Sequence, residues 1–161
     1  MTMIGCDRSV ELLKICRQRD YEVGLVDGLF LPYRQGVFDA VICIAVLHHL
    51  STNSLRRRFL VSMVKAMRKG ARAMVVVWSL EQMTSKSESA KKKFATVGEE
   101  SLISWTLRGK DGRDERKFLR YYHLFPAGEL EWLIGTIEGV KVVEVAFDSD
   151  NWYAIVEKIV D

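Results

Sequence analysis

Two carboxylates come directly after short apolar segments near the N-terminus. Asp7 follows Ile4-Gly5-Cys6, and Asp27 follows the segment of residues 21–26. Open α/β sheets bind ligands beyond the carboxyl ends of their strands, where an acidic side chain can accept hydrogen bonds from both hydroxyls of a ribose. The Asp27-Gly28-Leu29 segment could likewise offer a carboxylate to an adenine amino group, with backbone donors beside it. The pair predicts a nucleoside-binding crevice, although Asp7 alone would also suit a helix cap and Asp27 alone a turn.

A pair of histidines, His48 and His49, follows the apolar run of residues 40–47. At the end of a central strand such a pair could bind substrate, transfer a proton or cap a helix. Adjacent side chains point in different directions, so the two histidines are not expected to share a metal ion. The three cysteines also lack the spacing of metal ligands, which leaves no predicted metal site.

The segment Arg120-Tyr121-Tyr122-His123-Leu124-Phe125 brings a guanidinium, two phenols and an imidazole together. Core packing would explain Leu124, Phe125 and one of the tyrosines. Arg120 and His123 would need polar partners if they were buried. This segment is therefore a second candidate for ligand contact.

Residues 83–119 are polar, with nine basic and six acidic side chains. Lys91-Lys92-Lys93 precede Phe94, and Trp105 is followed by Arg108 and Lys110. Cations next to aromatic rings suit phosphate contacts and base stacking, although a solvated loop would have the same composition. We predict a long basic substrate loop over residues 83–119.

Strands and helices alternate along the chain. Apolar periodicity predicts strands at residues 1–6, 21–26, 38–46 and 71–78, helices at 10–19, 127–134 and between Thr52 and Gly70, and a hairpin at 140–158. The run at 38–46 is typical of a strand covered on both faces. Three consecutive arginines, Arg56 to Arg58, are expected on the solvated side of the helix, with RNA contact as the alternative. The pattern indicates an α/β fold with a mostly parallel sheet and one reversed strand.

Length and composition favour a single domain. The 161 residues are 48% apolar, which suffices for one core. No apolar run approaches the roughly 20 residues that cross a bilayer. Charges at Asp7 and Arg8 interrupt any signal peptide, and an odd number of cysteines suits reduced thiols. We therefore expect a cytoplasmic protein, found in the nucleus as well, without a membrane partner.

Six segments, in this order, closely resemble the eukaryotic wobble-uridine tRNA methyltransferases. That family includes a fungal enzyme and the methyltransferase domain of an animal AlkB homologue. The segments are Ile4-Gly5-Cys6-Asp7-Arg8-Ser9, Val26-Asp27-Gly28-Leu29-Phe30-Leu31-Pro32, Ile44-Ala45-Val46-Leu47-His48-His49, Val77-Trp78-Ser79-Leu80-Glu81-Gln82, Arg120-Tyr121-Tyr122-His123-Leu124-Phe125 and Asp150-Asn151-Trp152. The resemblance spans residues 1–161 and is weakest in the long loop, apart from Ile103-Ser104-Trp105. It implies a Rossmann-like class I methyltransferase domain that uses S-adenosyl-L-methionine (AdoMet) to methylate the carboxylate of 5-carboxymethyluridine in tRNA.

The resemblance also implies roles for individual residues. In the cofactor site, the ribose would be held by Asp7, the adenine by Asp27, Gly28 and Leu29, and the methionine part by Ile44 and Ala45. The substrate would contact Trp105, Tyr121 and His123, and the candidate catalytic residues are Arg120, His48 and His49. A carboxylate nucleophile is already ionised at neutral pH, so no general base is required. Arg120 would bind this carboxylate and hold it in position.

The sequence departs from the family at one motif. No Gly-x-Gly turn precedes Asp7, although the family has an acidic-x-Gly-x-Gly loop there. In the family sheet the strand before that loop is central, between the strand that ends at Asp7 and the one that ends near Val46. A truncated first motif and a gap in the sheet are therefore expected.

Two other functions stay open at this point. The first is a non-catalytic relative that keeps tRNA or activator binding and has lost AdoMet binding. The second is an enzyme acting on a small acid or a protein carboxylate, which the basic and aromatic loop disfavours. The resemblance further implies two partners, the tRNA anticodon loop and a small zinc-binding activator that pairs with the edge strand at residues 21–26.

Overall fold

The chain begins with a small parallel sheet. The computed structural model describes residues 2–81, 99–108 and 115–161. Strands β1 (Gly5–Asp7) and β2 (Val23–Leu25) pair in parallel and are joined by helix α1 (Val10–Arg17). The Ser9 hydroxyl caps α1 by accepting a hydrogen bond from the Leu12 N–H, which confirms that predicted helix start. A short 3-10 helix, Gly28–Phe30, follows β2.

The remaining elements follow in chain order. They are β3 (Phe38–Ile44), a second 3-10 helix (Leu47–His49), α2 (Asn53–Ala66), β4 (Met67–Trp78), β5 (Glu100–Arg108), β6 (Glu115–His123), α3 (Glu129–Gly135), β7 (Val140–Asp148) and β8 (Asn151–Lys158). Four of the strands form one sheet in the order β3-β4-β8-β7. Because β8 is antiparallel to both of its neighbours, it is the single reversed strand that the sequence predicts.

The expected gap in the sheet is present in the described part of the chain. Strand β1 pairs with β2 only, and β3 pairs with β4 only, so the two sheets are not hydrogen-bonded to each other. The C-terminal hairpin is confirmed as well. Ser149 and Asp150 both have left-handed φ angles, 48° and 64°, as a two-residue hairpin turn requires.

The prediction of an irregular loop over residues 83–119 is wrong where this segment is described. Strands β5 and β6 pair there as an antiparallel hairpin, with Ile103 opposite Arg120 and Trp105 opposite Phe118. Ile103 is buried whereas Leu102 is exposed, so the segment has the alternation of a strand with one covered face. Its many charges hide that alternation in the sequence. Lys91 to Lys93, Phe94 and Lys110 lie outside the described residues.

Helices α2 and α3 cover one face of the four-stranded sheet. The core consists of apolar side chains of these helices against Ala71, Ala73, Val75 and Val77 of β4, and the helix residues in it are Phe59, Leu60, Met63, Val64, Leu130, Leu133 and Ile134. On the other face, Ile42 and Ile44 of β3 are 69% and 57% exposed. The prediction that β3 is covered on both faces is therefore wrong for the described part of the chain, because α2 and α3 lie against the same side of this sheet.

Two predicted boundaries also shift. Helix α2 ends at Ala66 rather than Gly70, and Gly70 has a φ of 77° inside β4, where the register with β3 slips between Phe38 and Ala40. Glycine supplies this left-handed residue without a Cβ clash, so it forms an irregularity in the strand instead of a helix end. Helix α3 begins at Glu129 after Gly128, two residues later than predicted.

The first 3-10 helix joins the small sheet to α2. A Cβ added at Gly28 would lie 2.2 Å from Cε2 of Phe59, so the ring occupies the space that a side chain at position 28 would need. Phe59 is itself part of the main core. The absence of a side chain at Gly28 is thus what lets residues 27–29 lie against α2.

We predict that Gly28→Ala destabilises the fold by about 1–3 kcal/mol, because the new methyl group must displace the Phe59 ring. Urea unfolding followed by circular dichroism measures the change. Gly135→Ala is the matched control, since nothing lies within 4 Å of a Cβ at that position. Adding Phe59→Leu to Gly28→Ala should relieve the clash. Equal stability of the two single alanine variants would contradict this account of residue 28.

Candidate functional site

The two predicted carboxylates lie at the same end of the small parallel sheet. Asp7 is the last residue of β1, and its carbonyl accepts a hydrogen bond from the Val26 N–H at 3.0 Å. One Asp7 carboxylate oxygen accepts the Ser9 N–H at 2.7 Å, and one of Asp27 accepts the Leu29 N–H at 2.9 Å. Each carboxylate therefore stabilises its local turn, and a carboxylate has further lone pairs with which to accept hydrogen bonds from a ligand.

The end of β3 has an unusual backbone. Ala45 follows the strand with a φ of 59°, a left-handed conformation that residues other than glycine rarely adopt. Its N–H donates to the Val76 carbonyl at 3.1 Å, which holds the turn against β4. Backbone strain of this kind is commonly found at ligand sites, so its position here agrees with the predicted contact of Ile44 and Ala45 with a cofactor.

His48 is packed inside the protein. Its side chain is 1% exposed, and its ring lies 5.1 Å from that of Trp78 and 5.3 Å from that of Tyr122, between ring centres. Its Nδ1 accepts the backbone N–H of Trp78 at 3.3 Å. Burial, with smaller contributions from His49, Arg120 and His123, lowers the pKa of His48 to about 3. A neutral, enclosed imidazole holds the end of β4, and this placement argues against the predicted catalytic role.

His49 lies at the edge of the same aromatic cluster. Its Nδ1 is 3.1 Å from the Tyr121 carbonyl, which can only accept, so Nδ1 donates. Burial lowers the pKa of His49, the bond to the Tyr121 carbonyl opposes this, and nearby Arg120 lowers the pKa further. In its neutral form His49 therefore has an unprotonated Nε2.

Arg120 lies on β6 opposite Ile103, and its side chain is exposed. Its neighbour Tyr121 accepts a hydrogen bond from His49 through its backbone carbonyl, and the Tyr122 ring lies 4.5 Å from that of His49, between ring centres. The segment that carries Arg120 is therefore attached to His49, and the charge of Arg120 lowers the pKa of both histidines. Trp105 lies in β5 opposite Phe118, and the predicted role of its side chain falls outside the described part of the structure.

Tyr121 and His123 are held by polar partners of the protein itself. His123 is 4% exposed, and its Nε2 donates to the Glu129 carboxylate at 2.8 Å. The Tyr121 hydroxyl is 3.4 Å from the Ser51 carbonyl and 3.4 Å from a guanidinium nitrogen of Arg56. This burial argues against the predicted substrate contact of His123 and gives Tyr121 an anchoring role.

Of the three arginines of α2, Arg56 differs from its predicted solvated position, whereas Arg57 and Arg58 are exposed as predicted. Arg56 is 2% exposed, Arg57 donates to the Thr136 carbonyl, and Arg58 lies 4.2 Å above the Phe30 ring. Local sequence could not identify Arg56 as buried, because its partners come from segments more than 60 residues away as well as from its own helix. Glu129 was missed for the same reason.

Residues 2–81, 99–108 and 115–161 contain neither a metal-binding cluster nor a helix that could span a membrane. Within these ranges, no cluster of histidine, cysteine, aspartate and glutamate could hold a metal ion. The helices described there are also too short or too polar to cross a bilayer.

Comparisons with other proteins agree with this fold. Residues 1–75 match the family described as "Methyltransferase domain". The chain is 34% identical to the tRNA (carboxymethyluridine(34)-5-O)-methyltransferase of Schizosaccharomyces pombe, over 97% of this chain and 72% of that protein. It is 32% identical to the Xenopus tropicalis protein of the same name, alkbh8, over 99% of this chain but only 32% of that protein. An S-adenosylmethionine-dependent methyltransferase from Clostridium acetobutylicum has the same fold, with a TM-score of 0.75 at 9% identity over 99% of this chain and 76% of that chain.

The buried neutral His48 makes stability dependent on pH. Because its pKa is about 3 in the folded protein and about 6.5 in the unfolded chain, the unfolded chain binds the proton more tightly. The free energy of unfolding should therefore fall as the pH decreases from about 6.5 towards 3, by about 1.4 kcal/mol per pH unit from this one group. Urea unfolding between pH 4.5 and 7.5 measures this slope.

His48→Asn should reduce that slope by about 1.4 kcal/mol per pH unit, which corresponds to one proton, because an amide does not titrate. The amide oxygen can still accept the Trp78 N–H. NMR provides an independent control, because the ring protons of His48 should not shift over this pH range. A ring that titrates near pH 6.5 would show that the imidazole is not enclosed as described.

Proposed function

The chain belongs to the tRNA (carboxymethyluridine(34)-5-O)-methyltransferase family, and we propose that it transfers a methyl group from AdoMet to the carboxylate of 5-carboxymethyluridine at the wobble position of tRNA. The observation that carries the proposal is the hydrogen bond between His49 and the backbone carbonyl of Tyr121, which holds the segment of Arg120 next to the histidine, near the end of β3 where ligands of open α/β sheets bind. Because the chain spans 72% of the yeast relative and 32% of the frog relative, the activity is proposed for the protein that contains it.

The strand ends fit the cofactor. Asp7 and Asp27 bring two carboxylates to one end of the β1–β2 pair, suited to the hydroxyls of a ribose and an amino group of adenine. Gly28 and Leu29 would flank the adenine. Ile44 and Ala45 would contact the methionine part, since Ile44 is exposed and Ala45 turns the backbone away from the sheet. When bound, AdoMet supplies an electrophilic methyl group attached to a positively charged sulfur.

The reaction needs alignment more than proton transfer. A carboxylate is ionised at neutral pH, so it would not have to lose a proton before reacting with an electrophilic methyl group, and no residue of the chain would be needed as a base. Arg120 would hold the carboxylate in line, and a guanidinium suits this task because its N–H groups match two carboxylate oxygens.

This chemistry leaves the histidines without a proton to transfer. His48 is enclosed and neutral, so it would support the site by packing. His49 would present an acceptor nitrogen next to Arg120. We keep it as a residue of the substrate pocket and assign it no role as a base.

The hairpin of β5 and β6 would form the RNA side of the site. It includes exposed Arg120 and Lys117 in its described part, and Trp105 within β5. Cationic and aromatic residues on one hairpin suit phosphates and unstacked bases of an anticodon loop. This composition favours tRNA over a small acid as the substrate.

We also propose that a small zinc-binding activator pairs with β2. Strand β2 is hydrogen-bonded to β1, and on or beside it Tyr21 and Leu25 are 50% and 60% exposed, whereas Val26 is half-buried. An exposed edge with apolar side chains can accept a strand from a partner. The proposed substrate places the protein in the cytoplasm, and in the nucleus if tRNA is modified there.

We expect Asp7→Asn to weaken AdoMet binding by about 10- to 100-fold, because a charged acceptor of ribose hydroxyls becomes neutral. The asparagine oxygen can still accept the Ser9 N–H, so the turn is kept. Calorimetric titration with AdoMet measures the effect, and Asp20→Asn, at a left-handed position that asparagine tolerates, is the control. A wild-type protein that binds no AdoMet even with its activator would instead support the non-catalytic alternative.

Arg120→Ala should lower kcat for methyl-ester formation on tRNA by about 10- to 100-fold, because the guanidinium that holds the carboxylate in position is lost. Arg120→Lys should recover only part of the rate, since lysine lacks the planar fork. Arg68→Ala is the control: Arg68 pairs with Asp39 at 2.7 Å and lies at the opposite end of β4 from the site. Methyl-ester formation that is unchanged in Arg120→Ala would remove this residue from the mechanism.

A further inference from the structure

Arg56 is a buried cation near the start of a helix. It lies in the first turn of α2, where the helix dipole disfavours positive charge, and its side chain is 2% exposed. A buried guanidinium is costly unless its N–H groups are paired. The contacts that compensate this cost therefore show what Arg56 holds in place.

Those contacts come from several parts of the chain. Arg56 donates to the Asn53 side chain in its own helix. Its Nε donates to the carbonyl of Leu50, which precedes the helix, at 3.0 Å. A third nitrogen is 3.4 Å from the Tyr121 hydroxyl on β6, and the Glu129 carboxylate on α3 lies 3.7 Å away. The guanidinium also lies 5.5 Å from the centre of the Phe125 ring.

Both the hydroxyl and the backbone carbonyl of Tyr121 form hydrogen bonds with neighbouring segments. Its hydroxyl contacts Arg56 and the Ser51 carbonyl, and its backbone carbonyl accepts the Nδ1–H of His49. Two residues further along β6, on the same face of the strand, His123 binds Glu129. The C-terminal part of β6 is thus attached to the 3-10 helix of His49, to α2 and to α3.

We propose that Arg56 and Tyr121 form a clamp that positions the β5–β6 hairpin, and with it Arg120, relative to His49. This inference rests on the proposed function, because it makes the clamp a determinant of tRNA binding. Arg56 and Tyr121 are positioning residues: they act through the placement of Arg120 and do not touch the substrate. A small misplacement of a reacting group costs rate even when its chemistry is intact.

The first test variant removes one oxygen atom, the hydroxyl oxygen of Tyr121. Tyr121→Phe keeps the ring and deletes the hydroxyl that contacts Arg56 and Ser51. Tyr153→Phe is the matched control, because its hydroxyl bonds to Glu144 between β7 and β8, away from the hairpin. Arg56→Lys is the second clamp variant, since it keeps the charge near Glu129 and loses the planar fork. Arg56→Ala is avoided because it would leave Glu129 without its buried cationic neighbour.

Hydrogen–deuterium exchange of the full chain is the first readout. In Tyr121→Phe and Arg56→Lys, the amides of β5 and β6 should exchange about fivefold faster, whereas those of β4 and β8 keep their wild-type rates. Tyr153→Phe should leave the hairpin amides unchanged. Hairpin exchange that is equal in the wild type and both clamp variants would overturn the proposal.

Steady-state kinetics with the activator present are the second readout. Tyr121→Phe should raise KM for tRNA about fivefold and lower kcat, because Arg120 is misplaced, and it should leave KM for AdoMet unchanged, because the cofactor residues lie on other elements. Kinetic constants equal to those of the wild type, or a loss that Tyr153→Phe shares, would overturn the clamp. If the wild type forms no methyl ester, the proposed function fails, and the exchange experiment still decides whether the clamp exists.

Discussion

The packing of the Phe59 ring against Gly28 joins the two halves of the candidate site. On one side is the small β1–β2 sheet with the cofactor carboxylates, and on the other is the four-stranded sheet with the histidine pair. These sheets share no hydrogen bonds between strands in the described part of the chain. Their relative placement therefore depends on the contact of the first 3-10 helix with α2, where a side chain at position 28 would collide with the ring. The absence of a side chain at one glycine thus allows the proposed nucleoside site to lie next to the substrate pocket.

One turn before Phe59, helix α2 carries a buried charge. An unpaired guanidinium in the interior would cost free energy. Arg56 is accordingly surrounded by a carbonyl, an amide, a phenol and a carboxylate group. Next to this cluster, the enclosed His48 stays neutral because burial penalises its charged form. A framework of paired buried groups suits the proposed reaction, whose nucleophile is already ionised. Such a site has to orient its substrates and exclude water, and it needs no proton relay.

The corrections to the sequence-based expectations have a common cause. Arg56 was expected to face solvent and His123 to contact substrate, yet both are buried and bind groups distant in sequence or on the next element. The charged segment around Trp105 was expected to be a loop, whereas β5 and β6 pair over nine residues each. In each case the deciding partner is absent from the local window. Periodicity and composition describe one segment at a time, and burial of a polar group depends on several.

The alternation of strands and helices outside residues 83–119, the start of α1 after Ser9, the single reversed strand and the family were all determined by the sequence itself. They depend on local patterns, because a cap, a period of 3.6 or 2 and a motif are each contained within a few residues. Only the tertiary structure decided which of the motif residues are buried and which are exposed. It enclosed His48 and His123, left Arg120 exposed on β6, and anchored Tyr121 between α2 and the second 3-10 helix. Exposure and pKa are properties of the assembled neighbourhood, and residues far apart in the chain create that neighbourhood.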